Sequence, residues 1–296
     1  HLSIGVVCAG GALGTMMPPS IVLIIYGLIA SVSIADLFTA AITPAVILML
    51  SYIGYVLVRC LRNPAMGPPM SDEDRNAGFA SKGAALRSII VPALIAFLVL
   101  GSIYGGVASV TEAAAMGVFG VLLAVLARGE FSFKMMHAAL SQTLVTCGMI
   151  IWIGIGAAAL VGVYNLMGGN RFISGMIMDL DVAPIVIILV MMAILIVLGM
   201  FLDWIGVAML TLPIFVPIVI QLGYSPIWFG ILFAVNMQVS FLSPPFGPAA
   251  FYLKGVAPPE ISLKDIFVSL LPFIALQLCV LAALLMWPEM AMWLVD

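Results

Sequence analysis

The chain has 296 residues, 65% of them hydrophobic and only 8% charged, with a mean hydropathy of +1.30. A soluble domain carries about a quarter charged residues, so this composition excludes an ordinary soluble domain and predicts an all-α polytopic membrane protein. The formal net charge of −3 is spread over so few groups that no basic patch for nucleic acid is formed.

In chain order, the first segment, Leu2–Ala35, has no Asp, Glu, Lys or Arg, yet its stretch "GALGTMMPPSIVLIIYG" (Gly11–Gly27) carries Pro18 and Pro19. A proline lacks the backbone donor and clashes with the carbonyl four residues back. The pair therefore breaks a helix, frees carbonyls near Gly14–Met17 and starts a new helix whose amides can face an anion. Ser33 and Asp36 then form a Ser-x-x-Asp cap before the apolar run Leu37–Val58. The one long polar loop, 61–85, follows, with Arg59, Arg62, Arg75, Lys82 and Arg87 around it. Ser88–Thr111 and Ala113–Ala127 come next, joined by the capping box "SVTE" (Ser109–Glu112). After Arg128 and Lys134 lies Met135–Asn170, with His137 at its polar edge. The four cysteines, Cys8, Cys60, Cys147 and Cys279, lie in or at the ends of apolar runs without a CxxC, and read as small hydrophobes.

The segment 182–222 reads as a hairpin of two apolar arms around "GMFLDWIG" (Gly199–Gly206). Asp203 at its tip is the only charged residue between Asp181 and Lys254. A carboxylate at mid-membrane costs about 2.5–3.5 kcal/mol on insertion scales, so Asp203 caps the second arm, lies near a site, or does both. The turn "GYSP" (Gly223–Pro226) leads into a second broken helix, 226–254, with "SFLSPPFGPAAFYLKG" (Ser240–Gly255). Asn236, Ser240 and Ser243 share one helical face that ends at Pro244. Isolated polar residues in membrane helices serve as interhelical glue; because this row ends at the break, an ion or substrate path is the favoured reading. Ser262 and Asp265 cap the last run, Ile266–Pro288.

The two proline pairs belong to a repeat. "VSIADLF" (Val32–Phe38) recurs as "ISLKDIF" (Ile261–Phe267), and Pro44 has a counterpart in Pro272. The spacing differs by three residues near Ala257–Pro259. If crossings alternate, nine of the ten Lys and Arg fall on one side and only Arg171 opposite. The positive-inside rule puts loop 61–85 in the cytoplasm and the C-terminus outside. The first proline helix then runs outward and the second inward, an inverted repeat. Broken helices at matching positions of inverted repeats point to a secondary transporter. The domain reading is 1–60 as the end of the first repeat, 61–85 as a cytoplasmic loop and 86–296 as the second repeat.

Several motifs, in order and spacing, carry a resemblance: "LGTMMPPS" (Leu13–Ser20) with "IIYG", "TEAAA" (Thr111–Ala115), "FLDWIG" (Phe201–Gly206) with "LPIFVP" and "GYSP", and "SPPFG" (Ser243–Gly247). Over essentially its whole length the chain resembles the C-terminal two-thirds of the large membrane subunit of tripartite ATP-independent periplasmic (TRAP) transporters. "FLDWIG" is also similar to the subgroup labelled mannitol/chloroaromatic-type. The resemblance implies an elevator-type sodium symporter of the bacterial inner membrane for small organic acids, with a periplasmic C-terminus. It also implies a periplasmic substrate-binding protein and a small four-helix membrane subunit as partners, and no cofactor beyond sodium as coupling ion.

Carried over, Gly199–Asp203 is a re-entrant hairpin tip, and Ser243 and Pro244 lie in the unwound helix facing it. Gly14–Ser20, with Thr15, Met17 and Pro18, is the unwound helix of the first repeat. Gly14, Met17, Gly199, Asp203 and Ser243 are the sodium candidates; Asn236, Ser240 and Ser20 complete the expected substrate or ion path. The chain departs from the family pattern in three ways. Ser243 replaces the usual Thr, and "SVTE" lacks the usual proline. The first hairpin is expected upstream of His1. Two other readings stand beside this one. One is a related sodium–anion symporter without a binding protein; the other is a membrane-embedded enzyme or a non-transporting assembly subunit. An enzyme needs convergent acid–base residues, which the apolar runs hardly supply, and no nucleotide-binding motif supports an ATPase.

Overall fold

The computed structural model describes residues 2–67, 78–169, 172, 175, 182–258 and 260–295, the side chains of 78–88 excepted. Residues 68–77 of loop 61–85, Arg75 among them, and the side chains of Lys82 and Arg87 lie outside the described residues, as do Arg171, Asp181 and Pro259. Among the described residues every regular element is helical. The longer elements are α1 (Leu2–Leu13), α2 (Ile21–Ala30), α3 (Ile34–Arg62), α4 (Gly78–Tyr104), α5 (Val110–Arg128) and α6 (Phe133–Leu166). They continue with α7 (Pro184–Gly199), α8 (Trp204–Gln221), α9 (Pro226–Leu242), α10 (Pro248–Val256), α11 (Leu263–Met286) and the short α12 (Glu289–Met292). Among the described residues α3, α5, α6, α8 and α11 are long and apolar enough to cross a membrane. The chain is thus an all-helical protein with several apolar helices, as its composition predicts.

Two compact units are present, His1–Leu57 with Met149–Asp296, and Val58–Gly148. In the second, α4 and α5 pack together. Gly117 and Gly120 of α5 permit the approach, since a Cβ on either would lie 3.2 Å from Val99 or Ile95. The predicted capping box starts α5: the Ser109 amide donates to Glu112 Oε2 at 2.7 Å, and the Glu112 amide to Ser109 Oγ at 3.4 Å. It ends at Gly129, whose φ of +68° suits only glycine without strain.

The first unit is built around α9. Gly223 (φ +81°) turns the chain, and Ser225 Oγ accepts from the Ile227 and Trp228 amides at 3.2 and 3.4 Å. Pro226 fills the first helical position, where no amide is needed. Every residue from Trp228 to Ser240 is buried, as expected of a helix that is apolar all round. Helices α1, α2, α7, α8, α10, α11 and α12 all pack against it.

The order broken helix, short helix, long helix recurs as α1–α2–α3 and α9–α10–α11. Both Pro18–Pro19 and Pro244–Pro245 peptide bonds are cis. Pro44 and Pro272 lie inside α3 and α11. The predicted caps form: Ser262 and Asp265 make a full capping box, and the Asp36 amide donates to Ser33 Oγ at 3.2 Å. Two contacts fix α9 at its N-terminal end. The Tyr26 hydroxyl of α2 donates to the Pro226 carbonyl at 2.5 Å, and Trp228 Nε1 donates to the Leu284 carbonyl at 2.9 Å. Four residues after Leu284 stands Pro288, which has no amide to give that carbonyl. The indole supplies the missing donor.

Candidate functional site

The first break spans Gly14–Ser20. Pro18 and Pro19 provide no amide for the Gly14 and Thr15 carbonyls. Ser20 Oγ donates to the Thr15 carbonyl at 2.5 Å and accepts from the Leu23 amide at 3.4 Å, so one buried hydroxyl closes the break and caps α2. Thr15 Oγ1 donates to the Ala12 carbonyl at 2.7 Å. Thr15 and Met17 are exposed. Among the described residues the hydrogen bonds of this break are local, and none joins it to the hairpin tip.

The second break and the hairpin tip are brought together. Helices α7 and α8 pair as a helical hairpin, and α7 lies along α9. Asn236 Nδ2 donates to the Met192 carbonyl at 2.9 Å. Ser240 Oγ donates to the Asn236 carbonyl at 3.2 Å and reaches the Ile196 carbonyl at 3.4 Å. At the end of α7 the backbone of Gly199 rests directly on Ser240, where an added Cβ would stand 2.5 Å from Ser240 Oγ. The tip is tightened by bonds from the Met200 amide to the Ile196 carbonyl (3.0 Å) and from the Leu202 amide to the Leu198 carbonyl (2.8 Å). Asp203 caps α8, with Oδ2 accepting from the Ile205 amide at 3.2 Å, while its side chain stays exposed. Of the readings of Asp203, the cap on the second arm is the one observed, at the turn between α7 and α8.

One turn beyond Ser240 the break begins. Ser243 is buried, and its Oγ donates to the Val239 carbonyl at 2.7 Å, leaving lone pairs on the hydroxyl oxygen. Pro245 provides no amide for the Phe241 carbonyl. The repeat places Phe241 opposite Thr15 and Phe246 opposite Ser20. The serine that closes the first break thus has no hydroxyl counterpart in the second. No group of three or more His, Cys, Asp or Glu able to hold a metal occurs among the described residues. What the tip and break offer is hard oxygen: a carboxylate, a buried hydroxyl and carbonyls without helical donors, the donor set of a hard cation such as sodium.

Asn236 and Ser240 hydrogen-bond to α7 or within α9, so their observed contacts seat the hairpin. Sequence reasoning does not single out Phe201 and Phe246, whose rings meet at 6.0 Å across tip and break; the repeat alignment of Phe246 with Ser20 is the signal it had. It also passes over Gln238, buried on α9 with amide atoms that have no partner among the described residues, and Gln277, buried on α11. In an apolar core nothing in the periodicity marks them.

Comparison with known proteins gives a consistent picture. The family described as "Tripartite ATP-independent periplasmic transporter, DctM component" matches residues 1–290. An ectoine/5-hydroxyectoine TRAP transporter large permease protein of Ruegeria pomeroyi is 31% identical over 283 residues, covering 95% of this chain and 64% of that protein. A C4-dicarboxylate TRAP transporter large permease protein of Pseudomonas aeruginosa is 29% identical over 255 residues, 85% of this chain and 58% of that protein. An isethionate TRAP transporter permease protein of Oleidesulfovibrio alaskensis is 29% identical over 282 residues, 95% of this chain and 43% of that protein. The chain therefore spans between 43% and 64% of the length of these relatives, which are transporter permeases and not enzymes.

Proposed function

Because this chain belongs to the family of the DctM component of tripartite ATP-independent periplasmic transporters, we propose that it serves sodium-coupled secondary uptake of a small organic acid. The acid is delivered by a periplasmic binding protein, and a small four-helix membrane subunit accompanies the permease. The observation that supports the sodium site best is the seating of the hairpin tip on α9. Gly199 rests on Ser240 and Phe201 of the tip meets Phe246 of the break at 6.0 Å, which supports reading Asp203, Ser243 and the free carbonyls of the break as one oxygen-rich corner. Gly14 and Met17 are the corresponding candidates at the first break. The names of the relatives, an isethionate, an ectoine and a C4-dicarboxylate transporter, support small charged organic solutes as the substrate class. The repeats 1–60 and 86–296 are read as inverted, the hairpin as re-entrant, and the movement as an elevator. The protein sits in the inner membrane, with loop 61–85 cytoplasmic and the C-terminus periplasmic.

The full-length permease with its two partners, reconstituted in proteoliposomes, is expected to accumulate substrate under an inward sodium gradient and to be indifferent to ATP. Equal uptake with potassium in place of sodium sinks the proposal. Orientation is checked by cysteine labelling in a variant lacking Cys8, Cys60, Cys147 and Cys279. A cysteine within 63–85 should react only from the cytoplasm and one after Glu289 only from the periplasm.

Ser243→Ala is expected to raise the sodium concentration for half-maximal uptake. Removing a buried hydrogen-bonding or ligand group costs about 1–3 kcal/mol, roughly a 5- to 150-fold change in an equilibrium constant. Ser243→Thr keeps the hydroxyl and should be mild. A wild-type sodium requirement in Ser243→Ala, at matched expression, would show that the hydroxyl only bonds Val239.

A further inference from the structure

A groove of about 310 Å³ lies between α1, α3 and α11. Val6 and Leu13 of α1, Met49, Tyr52 and Leu57 of α3, and Phe273 of α11 are among its walls. The one hydroxyl among these side chains, that of Tyr52, is buried, and the Tyr52 and Phe273 rings meet edge to face at 5.3 Å. The walls therefore offer apolar contact.

The repeat shows where the groove comes from. In the second repeat the broken helix α9 packs directly on the long helix α11 that follows it. In the first, their counterparts α1 and α3 stand apart, and the groove lies between them. The first half of α3 is rooted by Leu37, Phe38, Ala41 and Leu48, all buried. Further along, Ile53 and Leu57 on the groove side are 47% and 56% exposed. A single helix facing lipid is convex; this is a recess walled by three helices.

Size selects the occupant. The walls on α3 run from Met49 to Leu57, about 12 Å at 1.5 Å per residue. A helix about 10 Å across would fill roughly 900 Å³ over that length, far more than the groove holds. A methylene takes about as much room as a water molecule, roughly 30 Å³, so one hydrocarbon chain of about ten carbons matches the volume. Charge selects the head. α3 is one continuous helix as far as Arg62. Arg59 follows Val56 by three residues and Tyr52 by seven, so it continues their flank of the helix. Arg59 and Arg62 are exposed and have no acidic partner among the described residues.

We propose that the groove binds one acyl chain of an anionic phospholipid, whose phosphate is held by Arg59 with Arg62 at the end of α3. The lipid comes from the leaflet on the Arg59 side, cytoplasmic in the orientation proposed above. It supplies between α1 and α3 the packing that α9 and α11 make directly. The site does not depend on which solute is carried.

The test uses the purified full-length permease with its small subunit in nanodiscs. The probes are phosphatidylglycerol and phosphatidylcholine carrying a photoactivatable diazirine on one acyl chain, with adducts located by peptide mass spectrometry. Adducts are expected on Val6–Leu13 and Met49–Leu57, well above those around Leu144 and Trp152, which are ordinary exposed positions on α6. Phosphatidylglycerol should label the groove about fivefold or more above phosphatidylcholine, and Arg59→Gln should lower that preference by about fivefold. Gly10 lines the groove, and a Cβ there would meet nothing within 4 Å. Gly10→Phe therefore fills the space and should remove most groove adducts while leaving those on α6 unchanged. Gly10→Leu, and the surface change Arg59→Gln, carry the measurement if Gly10→Phe does not fold. Groove labelling no higher than on α6, or unchanged in a folded Gly10 variant, overturns the proposal. An unlabelled groove would mean that another part of the full-length protein or the small subunit covers it, and overturns it as well. Equal labelling by the two lipids overturns the assignment of an anionic head.

Discussion

Gly199→Ala is expected to abolish most uptake while leaving the helices formed. The added methyl would lie 2.5 Å from Ser240 Oγ and 2.6 Å from Ser240 Cβ. Neither atom is the end of a flexible chain: both belong to a short side chain buried in α9. The conflict is relieved only by moving the last turn of α7 away, which stretches the Ser240 contact to the Ile196 carbonyl, now 3.4 Å, and the Asn236 bond to the Met192 carbonyl, now 2.9 Å. Overpacking of this kind costs about 1–3 kcal/mol. Function should suffer more than stability, because a binding constellation tolerates displacements of only about 0.5 Å, and Asp203 moves with the tip. The control is a double-mutant cycle. Ser240→Gly removes both atoms that clash, so Gly199→Ala/Ser240→Gly should transport better than Gly199→Ala alone, despite the cost of a helical glycine of about 1 kcal/mol. Wild-type uptake by Gly199→Ala, or no recovery in a folded double variant, would show that the seating of the tip is not required.

Trp228→Ala is expected to give the largest loss of stability. The indole is 1% exposed, stacks on Tyr224 with centroids 5.0 Å apart, and donates to the Leu284 carbonyl. Truncating a buried Phe or Trp to Ala costs about 3–5 kcal/mol in soluble proteins. In a bilayer the transfer part shrinks, because lipid is as apolar as the core, but the loss of packing remains. Trp228→Phe separates the two roles. It keeps most of the packing but leaves the Leu284 carbonyl without a donor, since Pro288 has none to give, at about 1–3 kcal/mol. Thermal unfolding in one detergent should rank wild type above Trp228→Phe and Trp228→Phe above Trp228→Ala. Equal midpoints for wild type and Trp228→Phe would mean that the carbonyl finds water instead.

Much of this chain is legible from local chemistry. Run length and the lack of charge mark the apolar helices, Pro18-Pro19 and Pro244-Pro245 mark the breaks, and Ser109/Glu112 and Ser262/Asp265 mark helix starts. Each feature depends on neighbours a few residues away, so sequence alone contains it. The hairpin tip is readable for the same reason: Gly199–Asp203 interrupts two apolar arms, and α7 and α8 flank it as expected.

What the tertiary structure decided is which distant groups meet. Asn236 and Ser240 share a face with Ser243 in any helix, but only the packing of α7 on α9 shows that these two bond within the α7–α9 pair while Ser243 lies beyond the tip. The contact of Gly199 with Ser240, the Tyr26 bond to Pro226 and the Trp228 bond to Leu284 join separate elements. Their partners are chosen by the shapes of two helix surfaces, which no periodicity encodes. The same holds for Phe201 and Phe246. In an apolar sequence two more phenylalanines are indistinguishable from core, and their exposure beside a carboxylate and a broken helix exists only once the tip has been seated on α9.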